Sequence, residues 1–164
     1  MEQNKLPYFW GLLRIGMGWI FFWGFIDKLF GLGFGTAPDK AWLAGGSPTA
    51  GFLKSGTRGP LSEFYQGLAG NPVVDWLFMA GLLFIGLALM IGIGVRIAGY
   101  SGAAMMILIY SAGFMPPQNN PFLDHHVIYT ILLIGFALTS SGHYLGCGRR
   151  WSETSLVKRY PFLE

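Results

Sequence analysis

The chain has 164 residues, 52% hydrophobic and only 12% charged, with a net charge of +3. A soluble domain carries about a quarter of its residues as charges, so this composition points to the membrane-protein class. The basic residues are scattered over loops and tail, which argues against nucleic acid as a partner, and the single cysteine, Cys147, excludes an intrachain disulfide or a Cys-x-x-Cys relay.

The first predicted span covers residues 8–30. It is interrupted only by Arg14 and by the pair Asp27-Lys28, and it contains Trp10, Trp19 and Trp23. Its apolar run is long and lacks the small-residue pattern of a cleavage site, so it is read as retained rather than as a cleaved signal. No carboxylate is predicted at the depth of Arg14. Backbone carbonyls, Glu153 of the tail, a lipid phosphate or a ligand are its possible partners, and snorkelling to the inner surface is the expected outcome.

A Gly/Pro-rich outer connection follows, residues 31–72. Ser47-Pro48 and Gly59-Pro60 read as starts of two short helices. In the second, Leu61, Phe64, Tyr65 and Leu68 fall at i, i+3, i+4 and i+7, one apolar face. Together these helices form an interfacial cap or a lid over the outer end of the spans.

No charge interrupts the chain from Trp76 to Val95, nor from Ile97 to Leu123. Gaps of this length match the roughly 20 residues a transmembrane helix needs. They give spans over residues 73–94 and 97–115, joined at Val95-Arg96. A turn at residues 116–120 leads to a fourth span, residues 121–141, with Asn120 as cap and Pro121 in the first helical position. Residues 142–164 form a basic, aromatic tail.

The expected fold is therefore all-α: one integral-membrane four-helix bundle over residues 1–164, with two short extracytoplasmic helices between helices one and two. Lys5, Arg96, Arg149, Arg150, Lys158 and Arg159 fall on one side of such a bundle, so both termini are expected in the cytoplasm of a multi-pass cell-membrane protein.

This topology gathers Asp27, Lys28, Asp75 and the run Asp124-His125-His126 at the outer side. Ionisable groups inside a membrane segment are costly and point to function. For Asp27, Lys28 and Asp75, ordinary headgroup-level charge is the favoured reading. At about 100° per residue His125 and His126 diverge around the helix, so chelation by the pair is disfavoured and no metal is expected. No haem or flavin is predicted either. His143 has no second ligand singled out, and Gly31-Leu32-Gly33-Phe34-Gly35 has no preceding strand.

Proton handling suits the run better, since an imidazole exchanges protons near neutral pH. A quinone head group needs a proton donor and aromatic walls. His125, His126 and Asp124 are the expected catalytic residues. Trp23, Asp27, Lys28, Asp75 and Tyr129 are expected to bind the quinone, with Phe30, Trp76 and Phe122 as further aromatic candidates.

These motifs resemble the DoxX/DoxD family of small four-span membrane proteins. The matching residues are Arg14-Ile15-Gly16-Met17-Gly18-Trp19, Gly24-Phe25-Ile26-Asp27-Lys28-Leu29, Ala41-Trp42-Leu43-Ala44-Gly45-Gly46-Ser47-Pro48-Thr49 and Gly51-Phe52-Leu53. Asn119-Asn120-Pro121-Phe122 with Asp124-His125-His126, and Gly146-Cys147-Gly148-Arg149 with Trp151, complete the set. The long outer connection makes the chain look more like the DoxD branch, which includes the large subunit of thiosulfate:quinone oxidoreductase. The resemblance implies electron transfer from a sulfur compound such as thiosulfate to membrane quinone, with a second protein subunit. The alternative is a non-catalytic structural or assembly subunit of a larger membrane complex. The small-residue faces Ala88/Gly92, Ala98/Gly102 and Gly99/Ala103 favour such packing.

Overall fold

The computed structural model describes residues 5–113 and 123–164, whose regular structure is all helical, with no strand among them. Helix α1 spans Leu6–Phe30, with Pro7 in its first turn and the left-handed Gly31 at its end. Two single 3₁₀ turns, Pro38–Lys40 and Trp42–Ala44, precede the short helices α2 (Ala50–Ser55) and α3 (Ser62–Gly67). Helix α4 runs Pro72–Ile91, α5 Val95–Ala112 and α6 His125–Leu138. The tail folds into α7 (Gly148–Ser152) and α8 (Ser155–Arg159) between 3₁₀ turns.

Three helices, α1, α4 and α5, are long and apolar enough to cross a membrane. α6 is apolar but has 14 residues, about 21 Å of helix against the ~30 Å of a hydrocarbon core. It starts later than expected: Asp124 is its cap, accepting from Val127 N at 3.2 Å. The predicted turn, cap and first helical residue, 116–121, lie outside the described residues, as does Phe122.

The α4–α5 joint also differs from expectation. It lies at Gly92–Gly94 rather than Val95-Arg96, and both of the latter belong to α5. Gly92 and Gly94 have φ of 81° and 64°, a left-handed geometry that glycine adopts without a Cβ clash. The sharp reversal therefore sits on the glycines, and the charge gap marks only where the next helix starts.

α1 packs on α4, α4 on α5, and α5 on α6. Small residues set these approaches. A Cβ on Gly86 would lie 2.7 Å from Phe22 N, and one on Gly99 would lie 2.5 Å from Leu133 O. The faces read as partner-seeking are thus largely used within the chain: Ala98, Gly99, Gly102 and Ala103 are all buried. The core between the helices holds Met17, Phe21, Met79, Leu82, Leu89, Met106, Leu133 and Phe136.

The outer connection is tied down at several points. Asp75 is buried and accepts from Ser47 Oγ (2.9 Å), Thr49 N (3.2 Å) and Thr49 Oγ1 (2.5 Å). Asp27 is buried and accepts from Phe34 N (3.2 Å) and Gly35 N (2.9 Å). Tyr65 of α3 reaches Ser111 Oγ at 2.6 Å, and Arg58 N donates to Ala112 O. The reading of Asp27 and Asp75 as headgroup-level charges is therefore corrected, since each organises the loop beyond its helix. Of the predicted α3 face, Tyr65 is buried and Leu68 partly so, while Leu61 and Phe64 are exposed.

The largest correction concerns Arg14, which is completely buried and does not snorkel. Its Nη1 donates to Leu89 O and to Met90 O, two of the four α4 carbonyls that a helix C-terminus leaves without an intrahelical partner. Nη2 donates to Tyr144 O (3.1 Å) and Leu145 O (3.0 Å), and Nε to Ser141 O (3.3 Å). Backbone carbonyls, one of the alternatives read from the sequence, are its partners. A cation at a helix C-terminus also meets the negative end of the helix dipole.

Candidate functional site

The head of α6 is built by its cap. Asp124 uses Oδ1 to hold Val127 N, satisfying one of the orphan donors of the first turn. Its Oδ2 is then turned to His126, 2.7 Å from Nδ1. An ionised carboxylate only accepts, so the imidazole donates through Nδ1–H, and Nε2 is the nitrogen that Asp124 does not hold. Thr130 Oγ1 donates to His126 O one turn on.

The two histidines do not diverge as the angular argument required. Their ring centroids lie 4.0 Å apart with planes at 36°. Two residues at the very start of a helix carry side chains long enough to lean together, whatever the angle between their Cα positions. Tyr129 meets the edge of His125 at 5.7 Å.

His125, His126 and Tyr129 close one side of a cavity of about 180 Å3 whose other walls are Ile20 and Phe21 of α1, Leu82 of α4 and Met106 of α5. Apart from the two imidazoles and the phenol, the lining is apolar. Phe21 precedes Asp27 by six residues and Leu82 follows Asp75 by seven, about 9–10 Å of helix in each case. The histidines therefore face the interior of α1 and α4, roughly two turns inward from those carboxylates. They do not share their depth.

Of the predicted site residues, the structure brings together Asp124, His125, His126 and Tyr129. Trp23 instead stacks on Trp19 (5.7 Å) and meets Phe34 (5.1 Å). Lys28, half-buried, follows Asp27 at the far end of α1, and Asp75 is taken up by residues 47–49. Among the described residues none of these four lines the cavity, and neither does any part of α2 or α3. Ile20, Phe21, Leu82 and Met106 were missed by the sequence reading. Apolar residues inside apolar spans carry no mark that separates a cavity wall from ordinary core. Trp76 packs on Trp42 at 4.6 Å, and Phe30 is exposed. At the other end of the chain, His143 pairs with Glu164 at 2.8 Å.

No family model, curated protein or solved structure matches this chain. The chemistry of the site is therefore argued from its own geometry: an apolar slot of small-ring size, with one imidazole held in a fixed tautomer by a carboxylate and a second imidazole against it.

Proposed function

We propose that the chain is the quinone-interacting membrane subunit of an oxidoreductase, with the quinone head group in the cavity against His125, His126 and Tyr129. The observation that carries this reading is the Asp124–His126 pair on the wall of an otherwise apolar slot. An apolar ring with polar oxygens suits such a slot, and ligand sites generally combine apolar walls with a few placed polar groups. Asp124 holds His126 by Nδ1, and Nε2 is the atom that exchanges a proton with a quinone oxygen. Quinone reduction takes up two electrons and two protons. His126 passes the protons in, one at a time, and is reloaded through His125. Asp124 stabilises the imidazolium that forms in between.

α1, α4 and α5 cross the bilayer in this reading, and α6 belongs to the fourth crossing of a multi-pass bundle. The histidines then lie well inside the membrane, where ionisable groups are costly and tied to function. Both termini face the cytoplasm, the side that carries Lys5, Arg96, Arg149, Arg150, Lys158 and Arg159. The chain holds no electron carrier of its own in this proposal. The resemblance to the DoxX/DoxD family supplies the donor, a sulfur compound such as thiosulfate, and a second subunit that delivers its electrons.

The test is quinone content. The purified chain is expected to retain quinone through detergent extraction and to lose most of it in His126→Ala and in Leu82→Trp, which fills the cavity. Quinone content unchanged in both variants sinks the proposal.

A further inference from the structure

The contact between His125 and His126 removes the argument against a metal. We propose that Asp124, His125 and His126 form a binding site for a divalent transition-metal ion of the zinc class. Each residue offers one ligand atom, and the three atoms lie within 4.8 Å of one another. Tetrahedral zinc with bonds of about 2.0–2.2 Å to nitrogen and oxygen needs donors roughly 3.3–3.6 Å apart. His125, whose side chain is exposed and held by no hydrogen bond among the described residues, is free to turn toward the other two.

The donor set fits the ion. Two imidazoles and one carboxylate are the ligands of borderline cations such as Zn²⁺ and Co²⁺, whereas hard cations of the magnesium or calcium type prefer oxygen alone. Three protein ligands also leave a coordination position free for water. Asp124 is held in place by its bond to Val127 N, so one ligand is preorganised by the helix cap itself. The Asp124–His126 hydrogen bond already sets these two groups side by side, and the ion would take the place of the proton between them, which is released on binding. The two residues most constrained by the fold are thus set side by side, and the free one completes the set.

The ion and the proton relay proposed above would use the same three side chains and are alternative states of one site, so ion binding is measured on the chain alone, apart from its quinone content. The experiment is titration of the purified full chain, carrying an affinity tag without histidine, with Co²⁺. The readouts are the visible d–d absorption and calorimetric stoichiometry. One ion per chain is expected, displaced by Zn²⁺. His125→Ala and His126→Ala are each expected to weaken binding by at least about ten-fold, in the range seen on loss of groups that hold a metal site together. Asp124→Asn, which keeps a capping side chain and so keeps the helix start, is expected to weaken it similarly. His143→Ala, at the distant His143–Glu164 pair, is expected to leave binding unchanged. Absence of saturable binding, or binding that survives the double variant His125→Ala/His126→Ala, overturns the proposal. So does binding that ignores Asp124→Asn.

Discussion

Arg14 and His126 are both ionisable groups set among helices, and they are solved in opposite ways. Arg14 is sealed from solvent and directs its guanidinium nitrogens at carbonyls, leaving no direction open for a ligand. His126 is held by one nitrogen only, and the ring lines a cavity. Asp27 and Asp75 follow the first pattern, Asp124 and His125 the second. What separates the two kinds of ionisable group here is whether a valence is left over, and burial alone does not decide it.

Breaking the saturated side gives the largest effect. Arg14→Met leaves carbonyls of Leu89, Met90, Ser141, Tyr144 and Leu145 without their donor. A loss of about 3–5 kcal/mol is expected, read as a collapse of thermal stability in detergent. Arg14→Lys, which keeps the charge but loses the planar fork, is expected to recover only part of it. A native-like melting temperature for Arg14→Met refutes the anchoring role.

Asp75→Ala comes next. It strips the acceptor from Ser47 and Thr49 and is expected to cost about 2–3 kcal/mol. Limited proteolysis reports it more directly, as faster cleavage within residues 44–62 than elsewhere. Uniform cleavage along the chain counts against a local clamp.

Gly99→Leu tests the close approach of α5 and α6. Overpacking there is expected to cost about 1–3 kcal/mol, measured as a lowered midpoint of thermal aggregation. Serine at the same position is expected to fall in between.

The smallest effect on stability belongs to the open side. Asp124→Ala removes a cap and costs about 1 kcal/mol, while Asp124→Asn costs a few tenths. His126→Ala is expected to lie within about 0.5 kcal/mol of the parent. These variants sharpen the contrast because their effect on quinone content is expected to be large where their melting curves barely move. A large destabilisation by His126→Ala would place the histidine with Arg14, as a structural group.

The long helices were legible because length and absence of charge are linear properties of a sequence. The gap from Trp76 to Val95 gives α4, and that from Ile97 onward gives α5. Partners were not legible. Nothing local to Arg14 shows that residues 141–145 turn back onto it, and nothing beside Asp75 shows that Ser47 and Thr49 are its donors. Both are contacts between distant parts of the chain, so a lone charge was read as a surface charge. The histidine pair failed for a different reason. Helical angles fix where Cα atoms point, and at the first two positions of a helix the rings have room to meet. The depth of the site was missed because α6 starts at His125, which moves its head inward along α1 and α4.

Arg14 also imposes an order of events on synthesis. It is made early, but three of its acceptors, Ser141, Tyr144 and Leu145, are separated from it by 127 to 131 residues of chain. Until that stretch has been made, the first helix carries a cation with only its α4 acceptors, Leu89 and Met90 O, in existence. Helix α1 settles in two steps, first on Leu89 and Met90 of α4 and then on residues 141–145, which come much later in the chain.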